Sequence, residues 1–497
     1  MKLQMKNTAS SVLVTVTGII SGLILPREIL LRYGTEMNGM VQSVTRFLQF
    51  TVILELGLGA VIPSALYPPL AKKNYSQISA ILTSAYRSYR RIALILVGYI
   101  LLLILLFPLM TGNDYPWEVS AWMIVCVGIG SLASHWAGTP DRLLLVADQK
   151  GYIPSMLTIC TTVLNTGISI LLIRSGASLA IVKLVGSGMT VLSVCFLCSY
   201  VSGHYPVSRH VKYDREPIPQ KWNGIAQHIA YIVLEYTDVM LLTVMMTFRE
   251  VSVYSVYYMV IVSVKHLFTS ATYSVQPKLG ELWAKGEAEP LNRFFSFFEC
   301  ITHLAVVCLF TCTGLLLVPF IRIYTAGVED AQYIQPVFAA VMVLAQGFQC
   351  LRDPYDKMIL ASGHFRQTQN NYIIAACLNI GLSVLFVRIW GLTGVAVGTL
   401  AAMVYQAGYM LWYDSRVLLR RPLRISLRQL GTDFATAGAI LLSAGLIRLQ
   451  PENFLAWCGL AALVTAIAAG ITLAMAFLFC RGALLSAGFS LRGPFRR

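Results

Sequence analysis

Polar side chains recur at helical spacing inside stretches that are otherwise apolar. One such stripe consists of Asn38, Gln42, Arg46 and Gln49, separated by four, four and three residues. This spacing places all four side chains on one face of a helix. An arginine at membrane depth is costly unless it meets a water-filled cavity or a partner of opposite charge. The stripe therefore predicts either a cavity that binds an anionic, polar substrate or a structural ion pair within the first half of the chain.

Two later apolar stretches carry further stripes. The first is acidic, and its members are Gln227, Tyr231, Glu235 and Asp238. The second has one basic member, and its face contains Tyr254, Tyr258, Lys265, Thr269, Thr272 and Gln276. Polar stripes on neighbouring membrane helices must either line a shared water-filled cavity or pair with each other. Both interpretations remain open: the stripes line a cavity, or Glu235 or Asp238 forms a buried pair with Lys265.

A dense charge cluster surrounds Pro354, between Arg352 and Lys357. Proline removes a backbone hydrogen bond and bends a helix. Its neighbours Asp353 and Asp356 could therefore bind a coupling cation at a kink, although a cytoplasmic helix end would have the same composition. No metal site or cofactor is predicted, because His135 and His303 have no partners at ligand spacing. The sequence also has no phosphate-binding loop, HExxH or GxSxG motif, which argues against an enzyme.

The elements that carry these residues must lie in a membrane. Hydrophobic residues make up 57% of the 497 positions and charged residues only 12%, against about 25% charged residues in soluble domains. Such a chain has too little polar surface for water, so its solvent is lipid. The net charge of +15 does not indicate nucleic-acid binding, because the basic residues lie in short loops between apolar stretches.

About 20 apolar residues span a membrane, and on this scale the chain has fourteen predicted spans. They are 9–31, 37–62, 92–111, 118–140, 153–174, 177–201, 224–247, 251–276, 297–320, 333–352, 367–388, 392–413, 432–449 and 454–480. With the N-terminus inside, 28 of the 38 basic residues fall in cytoplasmic segments and seven in outside segments. Cytoplasmic loops are enriched in Lys and Arg. We therefore predict a bacterial cytoplasmic-membrane protein with both termini cytoplasmic and a retained first helix.

The chain also repeats itself. A shift of 214 residues aligns Asn165 with Asn379 and Arg174 with Arg388. The shift spans six predicted helices, and an even number preserves orientation, so the halves are parallel repeats of the kind found in transporters. The predicted organisation is an N-terminal lobe, a linker, a C-terminal lobe, a basic loop, helices 13 and 14, and a tail. Their ranges are 1–202, 203–223, 224–414, 415–431, 432–480 and 481–497.

Three stretches resemble a known family. They are LLRYGTEMNGMVQSVTRFLQFTVILELGLGAVIPSALYPPLAKKN (residues 30–74), TDVMLLTVMMTFREVSVYSVYYMV (residues 237–260) and LNIGLSVLFVRIWGLTGVAVGTLAAMVY (residues 378–405). Together they resemble the bacterial polysaccharide or oligosaccharide flippases of O-antigen and teichoic-acid type, within the multidrug/oligosaccharidyl-lipid/polysaccharide exporter superfamily. The resemblance implies an all-α polytopic fold of about 14 transmembrane helices. Two pseudo-symmetric six-helix lobes would enclose a central cavity, with two extra C-terminal helices.

The resemblance also implies a function. The substrate would be an undecaprenyl-diphosphate-linked glycan, translocated by alternating access, with polysaccharide polymerase machinery as a further partner. Basic residues of the first, second and eighth helices line the cavity of related lipid-diphosphate flippases, and here those are Arg27, Arg46 and Lys265. The diphosphate needs cations, the glycan needs amide and hydroxyl partners, and the lipid tail can stay in the bilayer, beside the two extra helices or between the lobes.

Two other functions remain as alternatives. Related drug exporters bind H⁺ or Na⁺ through acids of the seventh and tenth helices, for which the candidates are Glu235, Asp238, Asp353 and Asp356. A multidrug antiporter would favour an acidic cavity for cationic drugs, whereas this one mixes acids with Arg46. A membrane glycosyltransferase or glycan polymerase is the enzymatic alternative, and the lack of a long outside loop argues against it.

Overall fold

The computed structural model describes residues 2–55, 57–111, 115–209, 211, 225–272, 275–445, 447 and 450–479, except for the side chains of 2–4, 60 and 225–227. These residues form seventeen α-helices and no β-strand. Helices predominate because every backbone hydrogen bond must be made inside the segment when the surroundings are lipid. Most of the predicted linker 203–223 and the whole predicted tail 481–497 lie outside the described residues.

The chain divides into two compact units, and the first consists of Met1–Ser255 and Val328–Ala331. Its helices are α1 (Lys2–Gln49), α2 (Leu58–Ala71), α3 (Tyr75–Met110), α4 (Trp117–Ala133), α5 (Thr139–Ala147), α6 (Tyr152–Arg174), α7 (Leu179–His204), α8 (Ile225–Met245) and the first residues of α9 (Phe248–Thr272). One apolar core joins α1, α3 and α4 around Val44, Leu96 and Ile124. A second core joins α2, α3 and α5 around Ile62 and Leu144.

The second unit consists of Val256–Gly327 and Gln332–Arg497. After the remainder of α9 it contains α10 (Val275–Ala284), α11 (Ala288–Tyr324), α12 (Pro336–Leu351), α13 (Asp353–Ser362), α14 (Phe365–Trp390), α15 (Leu392–Tyr413), α16 (Leu423–Gly445) and α17 (Phe454–Phe479). The helices α16 and α17 pack on α11, where Leu316 lies in one cluster with Ile440 and Val464. The indole nitrogen of Trp457 donates a hydrogen bond of 3.1 Å to the Leu316 carbonyl.

The predicted all-helical polytopic fold is confirmed. Within the described residues, eleven helical segments are long and apolar enough to cross a membrane, and the first, Met5–Glu55, includes the first predicted span and most of the second. The tenth predicted span corresponds to α12, which has only 16 residues, and the thirteenth to α16. Several helices begin well before their spans, because a helix continues into water once its backbone bonds are made. For example, α3 begins at Tyr75, whereas its span was predicted to begin at residue 92.

Three spans contain breaks. Beyond Gln49 the second predicted span tightens into a 3-10 turn, Phe50–Glu55, and Gly57 then adopts a left-handed φ of 81° before α2 begins. The fourth span contains a π-helical turn, Ser134–Gly138, and the tenth breaks at Arg352, immediately before Asp353-Pro354. Such irregularities in membrane helices occur where polar groups or a cavity satisfy the backbone.

Candidate functional site

The first predicted stripe lies on the second half of α1. Going along the helix, Asn38 is fully buried, Gln42 and Arg46 are partly buried, and Gln49 is exposed. The stripe thus runs from a packed end to an open end. A guanidinium nitrogen of Arg46 approaches Gln49 Oε1 at 3.4 Å, and its guanidinium carbon lies 5.8 Å from the centre of the Tyr236 ring of α8. The charge of Arg46 is therefore held between an amide and an aromatic face.

The packed end of this stripe meets the turn between α8 and α9. Asn38 Nδ2 donates to Ser252 Oγ at 2.7 Å, and Thr243 Oγ1 donates to Ser43 Oγ at 2.8 Å. Gly39 allows this close approach, since a Cβ there would lie 1.8 Å from the Phe248 carbonyl oxygen. The contact also fixes Asn38, whose amide cannot turn away from its buried hydroxyl partner without loss of a hydrogen bond.

A kink at Gly34 separates the two halves of α1. Its φ of 84° and ψ of 175° are not helical, and the freed backbone N–H of Thr35 donates to Asp330 Oδ2 at 2.7 Å. Arg27, the candidate of the first span, lies in the half before the kink, one residue after Pro26, and is partly buried. Arg27 and Arg46 therefore lie on two helical segments of α1 that the kink at Gly34 separates.

The acidic stripe on α8 is only partly described, because the side chain of Gln227 lies outside the described residues. Tyr231 is 48% exposed, and Glu235 is partly buried. Asp238 is buried and accepts a hydrogen bond of 2.9 Å from the hydroxyl of Tyr254. The carboxylate of Asp238 is therefore a hydrogen-bond acceptor inside unit 1, whereas the side chain of Tyr231 is exposed.

In the second unit, the basic candidate of α9 is almost fully enclosed. Lys265 is 5% exposed, and its neighbour on the same face, Tyr258, is also buried. The ammonium of Lys265 lies 5.9 Å from the centre of the Tyr258 ring and 3.4 Å from Gln349 Oε1 of α12. Sequence reasoning did not identify Gln349 as part of this site, because it lies 84 residues away in an apolar helix.

The acids near Pro354 have local partners. The ammonium of Lys357, one helical turn along α13, contacts both oxygens of Asp353 at 2.5 Å and donates to Thr272 Oγ1 at 3.0 Å. The hydroxyl of Tyr372 on α14 donates to Asp356. Asp353 is therefore paired with a cation, and Asp356 serves as an acceptor at a helix start, where negative charge is stabilised by the helix dipole.

A larger buried network was not predicted from the sequence. The acid Glu299 on α11 accepts hydrogen bonds from Arg421 at 2.6 Å, Tyr355 at 2.8 Å and Ser426 at 2.8 Å. One turn further along α11, His303 Nδ1 lies 2.6 Å from Asp433 Oδ2. The spacing of Glu299 and His303, four residues apart in an apolar helix, was the signal available in the sequence, but their partners lie between 52 and 130 residues away.

Among the described residues, no group of three or more His, Cys, Asp and Glu side chains could hold a metal ion. His135 lies in the π-helical turn Ser134–Gly138. It contacts Ser131 O at 2.8 Å and Glu55 at 3.3 Å. His135 and His303 are therefore both hydrogen-bonded within their own units.

No family model matches the sequence, and no curated protein sequence matches it either. Solved structures do share its fold. The lipid II flippase MurJ in an inward closed conformation matches with a TM-score of 0.72 and 14% identity, covering 96% of this chain and 99% of that chain. A MATE family multidrug resistance transporter of the MOP superfamily, in an inward-facing conformation, matches with a TM-score of 0.62 and 15% identity, covering 81% and 94%.

A third solved structure, a MOP superfamily transporter from Pyrococcus furiosus, matches with a TM-score of 0.54 and 15% identity, covering 84% of this chain and 99% of that chain. Identities this low establish a shared fold and leave the substrate open. The eleven candidate spans and these likenesses together lead to one conclusion. This chain is an all-helical, multi-pass membrane protein with the fold of the MurJ flippase and the MATE transporters.

Proposed function

We propose that this protein is a flippase for undecaprenyl-diphosphate-linked oligosaccharide and works by alternating access. The observation that carries the proposal is the extent of the likeness to the lipid II flippase MurJ, which covers 96% of the chain. The residues of this chain that the likeness to MurJ does not cover are fewer than the 23 residues of α16 alone. The likeness to the MATE transporter covers only 81%. The helices beyond the predicted twelve-helix repeat therefore favour a flippase over a drug exporter.

The basic candidates supply the chemistry that a diphosphate needs. Arg46 presents a planar guanidinium suited to two-point contact with phosphate oxygens. Lys265 is a compact charge in a nearly closed environment, where electrostatic attraction is strong because water is excluded. The partly buried Gln42 and the exposed Tyr231 provide amide and hydroxyl groups for sugars. We propose that these residues and Arg27 bind the polar head of the substrate, with Asn38 and Tyr258 supporting the site.

An apolar groove in unit 2 suits the lipid tail. It has a volume of about 400 Å³ and lies between α11, α12 and α16. Among its lining residues are Phe310, Val343, Phe348 and Leu441, and its one charged member is Asp433, which is engaged by His303. A polyprenyl chain gains free energy by covering such apolar surface. The extra helix α16 forms one wall, which gives that helix a role in the proposed function.

The second candidate function is a cation-coupled multidrug antiporter. It would require carboxylates open to a cationic drug or to H⁺ or Na⁺. Three of the four acidic candidates already accept hydrogen bonds from side chains of their own unit: Asp238 from Tyr254, Asp353 from Lys357 and Asp356 from Tyr372. The fourth candidate, Glu235, is partly buried. These contacts favour a substrate that is bound by basic side chains rather than by carboxylates.

The decisive experiment is transport by the full chain in proteoliposomes. Fluorescent undecaprenyl-diphosphate glycan is supplied in one leaflet, and its appearance in the other is followed by quenching. We expect translocation by the wild type, its loss in Arg46→Ala, and normal activity in Arg388→Ala, which removes an exposed arginine outside the proposed site. Transport of a cationic dye without translocation of the glycolipid would establish the drug exporter instead.

A further inference from the structure

A basic pocket lies in unit 1, and none of its lining residues is a candidate of the proposed transport site. Its volume is about 390 Å³, within the range of about 300–1,000 Å³ for small-ligand sites. Four arginines line it, and its remaining lining residues are neutral. The arginines are Arg87, Arg90, Arg91 and Arg209. A pocket with this charge selects an anion.

The geometry of α3 explains why the charges converge. The lining residues on α3 are Thr83, Tyr86, Arg87, Arg90, Arg91 and Leu94, which follow one face at helical spacing. The fourth arginine, Arg209, lies on the segment after α7. This segment is held against α3, because Ser208 N–H donates to Ser79 Oγ at 3.0 Å and Val211 N–H donates to Thr83 Oγ1 at 3.2 Å.

Aromatic rings and one acid orient two of the guanidinium groups. That of Arg90 lies 5.6 Å from the ring centres of both Tyr86 and Trp136. That of Arg209 donates to Asp141 at 2.7 Å. Burial acts to lower the pKa of Arg209, but the Asp141 carboxylate outweighs it and the pKa is raised, so the group stays charged. The buried Nε–H donors of Arg90 and Arg209 have no acceptor among the described residues.

The pocket lies at the point on α3 where we predict the helix to enter the lipid. The third predicted span begins at residue 92, immediately after Arg91. From Leu94 onward, α3 presents a series of apolar side chains that the protein leaves uncovered. They are Leu94, Ile95, Val97, Leu101, Leu102 and Leu105. Trp136, 48% exposed, is a residue type enriched at the membrane interface. A phosphate in the pocket would therefore have lipid-facing helix surface directly beside it.

We propose that this pocket binds the phosphate of an anionic phospholipid in the leaflet that the charge asymmetry assigns to the cytoplasm. Basic pockets between membrane helices on this side characteristically bind anionic headgroups. The acyl chains would lie along the exposed face of α3. Because Arg209 lies within the predicted linker between the lobes, residues 203–223, the bound lipid would hold the first residues of that linker against α3. This site is independent of the transported substrate.

The test measures lipid binding to the purified full chain, delipidated in neutral detergent. Native mass spectrometry and thermal unfolding are followed during titration with phosphatidylglycerol, phosphatidylcholine or inorganic phosphate. We expect phosphatidylglycerol alone to bind and to raise the unfolding midpoint. The variant Arg87→Gln/Arg91→Gln removes two exposed arginines and should weaken binding about 30-fold. The matched control Lys72→Gln/Lys73→Gln removes two exposed charges just before α3 and should bind like the wild type.

Two results would overturn the proposal. Equal loss of binding in both double variants would show that phosphatidylglycerol responds only to net charge. An equal effect of inorganic phosphate would identify a free-anion site rather than a lipid site. The helical content of each variant, measured by circular dichroism, checks that it is folded. Both arginines of the test variant are exposed, so their loss removes no packing from the core.

Discussion

At the residue scale, the planar guanidinium of Arg46 has neighbours that orient it. It approaches the amide of Gln49 and lies against the ring of Tyr236. Lysine cannot reproduce the planar fork. We therefore expect Arg46→Lys to retain protein abundance but to translocate glycolipid roughly 10-fold more slowly than the wild type, on the basis of one lost charge-assisted hydrogen bond. Initial rates in proteoliposomes measure this, and an unchanged rate would show that only charge matters.

The contact of Gly39 with Phe248 leads to a second prediction. A Cβ at position 39 would lie 1.8 Å from the Phe248 carbonyl oxygen, so Gly39→Ala must force the α1 backbone away from the start of α9. We expect a loss of about 1–3 kcal/mol in the free energy of unfolding. The control is Gly22→Ala in the same helix, where a Cβ meets nothing within 4 Å. Alanine there should be neutral or stabilising, and equal effects of the two substitutions would contradict the close contact.

At the element scale, the buried network holds α16 against α11 and α13. Glu299 is 3% exposed, and Arg421, just before α16, is 7% exposed. Removing one partner of such a pair leaves a buried charge. We expect Arg421→Met to cost about 3–5 kcal/mol in the free energy of unfolding. Denaturation of the purified chain measures this cost.

Two further variants separate this network from a general charge effect. Adding Glu299→Gln to Arg421→Met should recover part of the lost stability, because the amide still accepts from Tyr355 and Ser426. The control is Arg293→Met on α11, which breaks an exposed pair with Glu289 and should cost no more than about 1 kcal/mol. Equal losses in the two arginine variants would mean that the buried network does not hold α16.

At this scale, the asparagines Asn165 and Asn379, which the 214-residue shift aligns, make similar local contacts. In unit 1, Asn165 of α6 approaches α7, and a Cβ on Gly186 would lie 3.2 Å from its Oδ1. In unit 2, Asn379 of α14 donates to Thr399 of α15 at 2.9 Å. Each asparagine, placed in register by the 214-residue shift, faces the helix that follows. The superposition of two six-helix lobes remains a prediction.

At the scale of the whole molecule, the charge asymmetry predicts the orientation of the chain in the membrane. Reporter fusions after Arg209 and Arg424 should both indicate the cytoplasm, and a fusion after Arg322 should indicate the outside. The physical reason is the enrichment of basic residues in cytoplasmic loops. An outside signal after Arg209 or Arg424 would mean that the number of crossings before it is odd.

The sequence by itself determined the helical, membrane-spanning character of the chain. Lipid demands long apolar segments with internally satisfied backbones, and that demand is visible residue by residue. Stripes at helical spacing were equally visible, because Asn38, Gln42 and Arg46 need only the geometry of one helix. The break at Pro354 followed from the local backbone preferences of proline.

Only the tertiary structure decided which partner each polar group meets. Glu299 finds Arg421, and His303 finds Asp433, across 122 and 130 residues of chain. Periodicity specifies the face of a helix but not the neighbour that covers it. The basic pocket is a similar case: its α3 arginines were assigned to a cytoplasmic loop by charge alone. Their convergence with Arg209 depends on contacts between the segment after α7 and α3, because such contacts bring residues more than 100 positions apart to one cavity.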